Sequence, residues 1–286
     1  MTDLTPVQLI NGRHYKREDL HRLPSGVNGA KLRACRHLIS TARAAGYRRV
    51  ISAASVLSPQ SAMAAVLAAE YGMRCTVVVG GTREESALRH PSVATAARYG
   101  ADFVYAPVGY NPALQRTARD LHEADPSSYW LRYGITAPPD STDAELSAFH
   151  RVGAQQVDNL PPQVETLVIP FGSGNTATSV LYGLALYLPV TRPGRLVLVG
   201  IGPDKREWMA ERLARLGVSV PPYEHLDLHG SGYARYGDRM PATLDGIRMH
   251  PTYEGKVVRY LDGQAPDWWT RRDGKTCLWI VGGPLS

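Results

Sequence analysis

The chain has 286 residues, enough for one large or two modest domains with a substantial core. A hydrophobic content of 44% and a charged content of 20% are ordinary for a globular protein, and the apolar runs are too short to cross a membrane. No signal-peptide pattern opens the sequence, and the 3 cysteines lie far apart without metal-ligand spacing, so a cytoplasmic location is expected.

The net charge is +6, and basic residues are concentrated between Arg13 and Arg49. A basic face of this kind is typical of an ordinary solvated surface. It is also typical of a surface that meets nucleic acid or an anionic substrate. Both interpretations stay open at this point.

Taken in chain order, apolar runs of strand length alternate with segments of helical spacing. Strands are predicted around residues 14–16 and over 48–53, 75–79, 102–105, 164–169, 196–201 and 275–281. Helices are predicted over 30–44, 58–71, 112–124, 143–159, 177–188 and 207–216, with a further helix ending at residue 99. Residues 219–245 are predicted to be mostly loop. This alternation predicts parallel sheets whose faces are covered by helices.

A glycine-rich segment separates the strand over 164–169 from the helix over 177–188, and it consists of Gly172, Ser173, Gly174, Asn175 and Thr176. Glycines let a backbone approach a ligand closely, and a helix N-terminus offers N–H groups and partial positive charge, so the segment predicts a phosphate site. A tight turn that binds nothing is the alternative. The segment does not end in Gly-Lys-Ser/Thr, and Ala177 stands at the third glycine position of the dinucleotide pattern. A phosphate bound here would therefore belong to a different kind of ligand.

Further segments extend this pattern along most of the chain: Lys16 to Asp19, Lys31 to Arg33, Ser52 to Gly72, Tyr233 to Gly237, His250 to Lys256 and Val281 to Gly283. In this order, with the glycine-rich segment, they resemble the pyridoxal-phosphate enzymes of fold type II, the tryptophan synthase β-like family. The nearest group is that of aminocyclopropane-carboxylate deaminase and D-cysteine desulfhydrase. The segment that begins at His250 is the most specific of them.

The resemblance implies an α/β fold of two domains, with parallel-rich twisted sheets covered by helices. It implies pyridoxal 5'-phosphate as the cofactor, bound in the interdomain cleft. The smaller domain would cover residues 40–145, and the larger would combine residues 1–39 with 146–286. A homodimer is implied in the same way.

The resemblance also assigns roles to residues that hold the cofactor. Lys31 stands at the family's lysine, whose amine forms a Schiff base with the cofactor aldehyde and then exchanges with a substrate amine. The glycine-rich segment would hold the phosphate, and Glu254 matches the glutamate that pairs with the ring nitrogen. An ordinary surface lysine and a solvated loop acid are the alternatives for Lys31 and Glu254.

Three more residues stand at catalytic positions of the deaminase-like group. Ser58 matches its active-site serine, and Tyr236 and Tyr253 match its active-site tyrosines, which implies acid–base or nucleophile-tuning roles. Ser58 is equally well explained as a helix N-cap before Pro59, tyrosines in loops are commonly packing residues, and Tyr233 competes with Tyr236 for its role.

The departures from the family pattern lie on the substrate side. Pro59 stands where the family has an asparagine bonded to the cofactor's ring oxygen, and a register shifted to Gln60 puts an alanine there instead. Ala30 replaces the asparagine before the lysine, unless Asn28 substitutes for it, and His250 replaces an aspartate. Cofactor capture therefore looks kept, while substrate recognition looks rebuilt.

Three functions follow from these observations. The first is an enzyme that acts through Lys31 on an amino-acid-like substrate, by deamination, elimination or decarboxylation at the α-carbon. The second is a decarboxylase or lyase that tailors an amino acid attached to a nucleobase, resembling components of bacteriophage DNA hypermodification. The basic N-terminal third motivates it, and DNA binding would accompany it. The third is a non-catalytic binding protein on the same fold, motivated by the lost asparagine.

Overall fold

The computed structural model describes residues 3–188 and 192–282, and Gly283 of the C-terminal glycine pair lies outside them. The strands are β1 (Val7–Ile10), β2 (Arg13–Arg17), β3 (Arg49–Ala53), β4 (Arg74–Gly80), β5 (Asp102–Ala106), β6 (Ser128–Leu131), β7 (Thr166–Phe171), β8 (Arg195–Gly200), β9 (Glu224–Asp227), β10 (Ala242–Leu244), β11 (Ile247–Met249) and β12 (Thr276–Ile280). The helices are α1 (Lys31–Ala44), α2 (Gln60–Glu70), α3 (Glu84–Ala87), α4 (Pro91–Arg98), α5 (Asn111–Ala124), α6 (Asp143–Ala154), α7 (Asn175–Tyr187), α8 (Arg206–Arg215), α9 (Glu254–Gln264) and α10 (Asp267–Thr270).

Internal contacts divide the described residues into two compact units. Unit 1 comprises residues 3–21, 28–30, 142–188 and 192–282. Unit 2 comprises residues 22–27 and 31–141. The domain limits implied by the resemblance, 40–145 and 1–39 plus 146–286, remain a prediction.

Unit 1 is built on a sheet with the strand order β1-β2-β12-β7-β8-β9. β1 pairs with β2 antiparallel, and every other neighbouring pair in this order is parallel. Leu278 of β12 lies opposite both Tyr15 of β2 and Val168 of β7. β12 therefore lies in the middle of the sheet, and the C-terminal ends of β12, β7 and β8 share one edge.

Side chains of this sheet alternate between two apolar clusters, because successive residues of a strand point to opposite faces. Leu167 and Ile169 pack with α7 and α8 on one face, while Val168 packs with α9 on the other. Each cluster contains a fully buried tryptophan, Trp279 in the first and Trp269 in the second. Burial of each such side chain stabilises the fold by about 1.5–3 kcal/mol.

Unit 2 is built on four parallel strands in the order β5-β4-β3-β6. Ile51 and Val78 pack against Leu114 and Ala118 of α5 on one face. α2 covers the other face, and its residues 60–68 are all buried. A helix that is apolar on every side is surrounded by other elements, as α2 is by α1, α4, β3 and β4.

The predicted alternation of strands and helices is confirmed, with differences in its short elements. Residues 219–245 are mostly loop, as expected, although they contain β9 and β10, while β1, β6, β11, α3, α9 and α10 were not predicted at all. The helix predicted to reach residue 159 ends at Ala154 and continues as a single 3-10 turn, Gln155–Val157. Strands of 3 or 4 residues are too short to display a period of two, which is why the sequence pattern missed them.

Candidate active site

The C-terminal edge of the unit 1 sheet gathers most of the residues singled out above. The glycine-rich segment follows β7, Val281 and Gly282 follow β12, and the ring of Tyr236 lies against Gly202, just beyond β8. Ligands of open parallel sheets bind at this edge, where loops leave the strand ends. Within the described residues, no cluster of histidine, cysteine, aspartate and glutamate is placed to hold a metal ion.

The glycine-rich segment has the geometry of an anion site. β7 ends at Phe171, and α7 begins at Asn175 with Gly174 as its N-cap in the left-handed region at φ +84°. A Cβ on Gly174 would lie 2.8 Å from the Trp208 ring, so only glycine fits there. The first N–H groups of a helix have no intrahelical acceptor, and here that helix begins a few residues after the end of a buried strand. Ser173 and Thr176 are both partly exposed beside them.

Glu254 is fully buried at the start of α9. Its Oε1 accepts the backbone N–H of Val281 at 2.6 Å and that of Gly282 at 3.2 Å. Burial raises the pKa of Glu254 to about 8, although these two N–H donors act in the opposite direction. Its Oε2 is also buried and has no hydrogen-bond partner among the described residues. The interpretation of Glu254 as a solvated loop acid is therefore wrong, because its carboxyl group is buried. One of its two oxygens can still accept a hydrogen bond from a ligand.

Tyr253 precedes Glu254 and stacks on His250, with ring centroids 4.4 Å apart. His250 stabilises the turn that leads from it to Glu254. Its Nδ1 accepts the N–H of Thr252 at 3.2 Å, and its carbonyl accepts the N–H groups of Tyr253 and Gly255. An aspartate side chain makes the same kind of local bond, so the histidine preserves the turn. Burial lowers the pKa of His250 to about 4, helped by the charge of Arg239, so the ring is neutral and Nδ1 can accept.

Tyr236 is held by a buried lysine that the sequence comparison had not singled out. The Nζ of Lys256 donates to the carbonyl of Arg235 at 2.6 Å and to that of Tyr236 at 2.9 Å. The Tyr236 ring packs against Gly202, where a Cβ would lie 2.8 Å from it. Its competitor Tyr233 is exposed and packs edge-on against Tyr260 of α9.

The segment before Lys31 is fixed to the end of β12. Ala30 donates its N–H to the carbonyl of Val281 at 2.7 Å, and Gly29, at φ +114°, leaves no room for a Cβ beside the same carbonyl. Asn28 is buried, and its Oδ1 lies 4.0 Å from the place where a Cβ on Gly282 would stand. Lys31 is the first residue of α1. Desolvation by burial lowers the pKa of its ammonium to about 8, so a free amine is accessible near neutral pH.

The loop before α2 carries the remaining predicted residue. Ser58 is half-buried, and its Oγ accepts the N–H of Gln60 at 3.2 Å, while Pro59 is the cap residue of α2 rather than its first helical residue. Gln60 is buried and spans three partners: its Nε2 donates to Ser52 and to the carbonyl of Arg132, and its Oε1 accepts the N–H of Gly134. Gln60 therefore ties the loop together and does not replace the missing asparagine.

Two residues of structural importance had a weak signal in the sequence. Lys256 stands inside the motif that begins at His250, and Gln60 is the polar residue that opens an otherwise apolar helix. A polar residue in a buried position is a cue for a buried hydrogen-bond network. The partners of such a residue are distant in sequence, so the cue does not identify them.

The residues present fit a phosphorylated pyridine cofactor. The glycine-capped start of α7 suits a phosphate, the open oxygen of Glu254 suits a protonated ring nitrogen, and the lowered pKa of Lys31 suits an amine that reacts with an aldehyde. The fold and these groups define an enzyme of the pyridoxal-phosphate-dependent class. A model of the family described as pyridoxal-phosphate dependent enzyme matches residues 5–261, and the chain belongs to this family.

Two relatives and one solved structure narrow the comparison. The "O-seryl-dTMP PLP-dependent decarboxylase" of Salmonella phage ViI is 29% identical, over 90% of this chain and 73% of its own. The "1-aminocyclopropane-1-carboxylate deaminase" of Pseudomonas syringae pv. tomato is 25% identical, over 85% of this chain and 78% of its own. A crystal structure of an ACC deaminase homologue superposes with a TM-score of 0.77 at 20% identity, covering 99% of this chain and 90% of that one.

These comparisons confirm the expected family, the fold type II architecture and pyridoxal phosphate as the cofactor. The protein is a pyridoxal-phosphate-dependent enzyme related to decarboxylases and deaminases. The roles of single residues remain predictions. None of the helices in residues 3–188 and 192–282 is long and apolar enough to span a bilayer.

Proposed function

We propose that this enzyme decarboxylates an amino acid carried on a thymidine nucleotide, a substrate of the type named for its phage relative. The observation that carries the proposal is the likeness to the O-seryl-dTMP decarboxylase, which extends over 90% of the chain. The rebuilt loop before α2 supports it, because Pro59 and the bound side chain of Gln60 leave the deaminase-like asparagine without a substitute.

The chain's own residues would hold the cofactor at three points. The N–H groups of Gly172 to Thr176 would bind its phosphate, with the Ser173 and Thr176 hydroxyls as further donors. The Oε2 of Glu254 would bind the ring nitrogen, and Lys31 would attach the aldehyde carbon through Nζ. When bound, pyridoxal phosphate supplies an electron-accepting ring that takes up the electron pair left at the substrate's α-carbon.

In the proposed reaction the bond between the α-carbon and the carboxylate breaks, carbon dioxide leaves, and a proton takes its place on the α-carbon. With a pKa of about 8, Lys31 can hold that proton on Nζ at neutral pH and deliver it. Glu254 keeps a hydrogen bond at the ring nitrogen throughout, because its other oxygen is fixed by two backbone donors. Tyr236 and Tyr253 would orient the substrate, and Ser58 would serve as a hydroxyl donor beside it.

A second candidate is deamination or elimination on a free amino acid. The likeness to the Pseudomonas syringae deaminase favours it, as do Ser58, Tyr236 and Tyr253, which stand at that group's catalytic positions. The two candidates differ in the bond that breaks at or beside the α-carbon. They also differ in whether the substrate carries a nucleotide.

The first experiment tests the cofactor site itself. An absorbance spectrum with added pyridoxal phosphate, before and after borohydride, should show a visible band that borohydride converts into a covalent attachment at Lys31. Lys31→Ala should lose both the band and the attachment. Lys275→Ala, which removes an exposed lysine paired with Glu165, should keep them. A band of equal strength in Lys31→Ala would reject the assigned lysine.

The second experiment tests the substrate. The enzyme is incubated separately with four compounds, and the products are identified by mass spectrometry. Two are nucleotides: O-seryl thymidine monophosphate and an oligonucleotide that contains this nucleotide. The other two are free amino acids: serine and 1-aminocyclopropane-1-carboxylate. Carbon dioxide loss from the nucleotide substrates alone supports the proposal. Ammonia release from a free amino acid supports the second candidate, and no turnover of any of these substrates would reject the proposed substrate. A homodimer and a cytoplasmic location belong to the same proposal, and sedimentation of the enzyme measures the former.

A further inference from the structure

A basic groove lies beside the β10–β11 hairpin in unit 1. Its volume is about 410 Å³, and the residues that line it include Arg239, Arg248, Thr243, Pro241 and Pro251. Pro241 and Thr243 lie at the start of the hairpin, and Arg248 lies on its returning strand. The groove is therefore a feature of one short antiparallel ribbon and of the loop that follows it.

The two arginines of this groove have no carboxylate paired with them among the described residues. Both are exposed, and within the described part of the chain neither guanidinium forms an ion pair or a hydrogen bond. The nearest carboxylates in sequence are engaged elsewhere. Asp245 accepts from Asn11, Tyr15 and Arg272, and Asp238 accepts the N–H of Arg235 at 2.7 Å.

The groove is held rigidly by contacts with α9. Met240 donates its N–H to the carbonyl of Pro251 at 2.8 Å, and the Nε of Arg259 donates to the carbonyl of Pro241 at 2.8 Å. A Cβ on Gly255 would lie 2.1 Å from the Met240 carbonyl, so the chain on both sides of the hairpin is in direct contact with the first turn of α9. The backbone of the groove is therefore fixed before an anion binds, and only the two arginine side chains have to be ordered.

The residues that line the groove lead directly, along the chain, to the cofactor site of the proposed function. Pro251 is followed by Thr252, Tyr253 and then Glu254, and the His250 ring beside the groove stacks on Tyr253. A ligand that lies along the groove would therefore end near the turn that carries Tyr253. An enzyme that acts on one nucleotide within a DNA strand must also accommodate its neighbours, and their phosphates are the groups that every sequence shares.

We infer that the groove formed by Arg239 and Arg248 binds the phosphates of a DNA strand that flank the modified nucleotide. This inference rests on the proposed function. Guanidinium groups bind phosphate oxygens in a bidentate manner, and binding of this kind is independent of sequence and weakens as salt rises. A strand offers a phosphate on each side of the modified nucleotide, which is one for each of the two guanidinium groups.

The test is DNA binding by the cofactor-loaded enzyme, measured by fluorescence anisotropy with a labelled thymidine-containing oligonucleotide over a series of salt concentrations. Arg239→Gln/Arg248→Gln should weaken binding about tenfold or more at low salt and reduce the slope of log affinity against log salt by about 2. The matched control, Arg116→Gln/Arg151→Gln, removes two exposed arginines of α5 and α6 and should leave both values close to wild type.

A charge-retaining variant, Arg239→Lys/Arg248→Lys, should recover most of the salt slope. Equal weakening in the control pair, wild-type binding by the glutamine pair, or competition by thymidine monophosphate at oligonucleotide-like concentrations would overturn the inference. The visible band and carbon dioxide release from the mononucleotide are measured on the same preparations. If the wild-type enzyme binds DNA as expected but does not release carbon dioxide, the result would count against the proposed function alone. Thermal unfolding verifies that each variant is folded.

Discussion

The carboxyl group of Glu254 and the backbone of Val281 are joined by a hydrogen bond of 2.6 Å. The carbonyl of Val281 in turn accepts the N–H of Ala30, the residue before Lys31. One peptide segment at the end of β12 therefore fixes both the group proposed for the ring nitrogen and the chain that leads into the proposed reactive lysine. Four predictions follow from this edge of the sheet and the loops around it.

The first prediction concerns Glu254 and the stability of the cofactor-free enzyme. Burial raises the pKa of Glu254 from 4.5 to about 8, so the folded state keeps a proton that the unfolded state has lost. Its contribution to stability is therefore fully present below pH 4.5 and is lost as the pH rises to about 8. Glu254→Gln should reduce this loss by on the order of a few kcal/mol, measured by urea unfolding across that range.

Glu85→Gln is the control for this measurement, because Glu85 is exposed in the first turn of α3. It should leave the pH profile as in wild type. A Glu254→Gln profile that falls as steeply as the wild-type profile would mean that Glu254 does not hold the proton.

The second prediction concerns Gly174 and phosphate binding. Gly174→Ala places a Cβ in the left-handed region and 2.8 Å from the Trp208 ring. The backbone strain alone costs roughly 1–2 kcal/mol, and the clash displaces the start of α7. Affinity for pyridoxal phosphate, measured by titration of the visible band, should fall at least tenfold.

Gly217→Ala separates the strain from the clash. Gly217 has φ +70° and nothing within 4 Å of its Cβ position. This variant should lose a similar increment of stability through strain while its cofactor affinity stays unchanged. Equal cofactor affinity in both variants would remove the glycine-rich segment from the phosphate site.

The third prediction concerns Lys256 as a positioning residue. Lys256→Met leaves the carbonyls of Arg235 and Tyr236 without their buried donor, which costs about 1–3 kcal/mol of stability. The loop that carries Tyr236 should then loosen, so kcat should fall while the affinity for pyridoxal phosphate changes little. Steady-state kinetics together with cofactor titration measure the two effects separately.

Lys275→Met is the control, because Lys275 is exposed and its ammonium group pairs with Glu165 at the surface. If Lys256→Met lowered cofactor affinity as much as kcat, its effect would be a general loosening of the fold. If Tyr236→Phe kept full activity, there would be no catalytic group on this loop for Lys256 to position.

The fourth prediction concerns His250 at acidic pH. Burial lowers the pKa of His250 from 6.5 to about 4, so its contribution to stability is present above pH 6.5 and is lost as the pH falls toward 4. His250→Asn should retain the bond to the Thr252 N–H and lose this acid dependence, whereas His250→Ala should lose the bond and about 1 kcal/mol at neutral pH. The measurement is the free energy of unfolding over this pH range, with His90→Asn as the control. If this free energy falls equally steeply toward acidic pH in wild type and in His250→Asn, the prediction is contradicted.

The sequence was sufficient for the parallel sheets and for the order of the main elements, because buried strands and amphipathic helices carry strong periodic signals. It was insufficient for α9. Gly255 interrupts the first turn of that helix, and its apolar residues Val257, Val258 and Leu261 appear only after it. Glu254 was therefore matched by motif alone, without the helix that buries it.

The role of individual polar residues depended on contacts that no local pattern encodes. Lys256 binds carbonyls about twenty positions earlier in the chain, and Gln60 binds the loop after β6. The replacement of the family's aspartate by His250 was, in the sequence, one of the departures attributed to a rebuilt substrate side. The structure gives it a physical explanation, since a neutral imidazole can accept the same kind of backbone bond.

The position of β12 has a consequence for synthesis. It is the last of the described strands to leave the ribosome, yet it lies between β2 and β7 in the middle of the sheet. Until it inserts, Glu254 lacks its two backbone donors, and Ala30 lacks the carbonyl that anchors the chain before Lys31. A nascent chain therefore has the residues predicted to bind the cofactor before it has the strand that fixes Glu254 and the segment before Lys31, and cofactor capture is expected only after β12 has inserted.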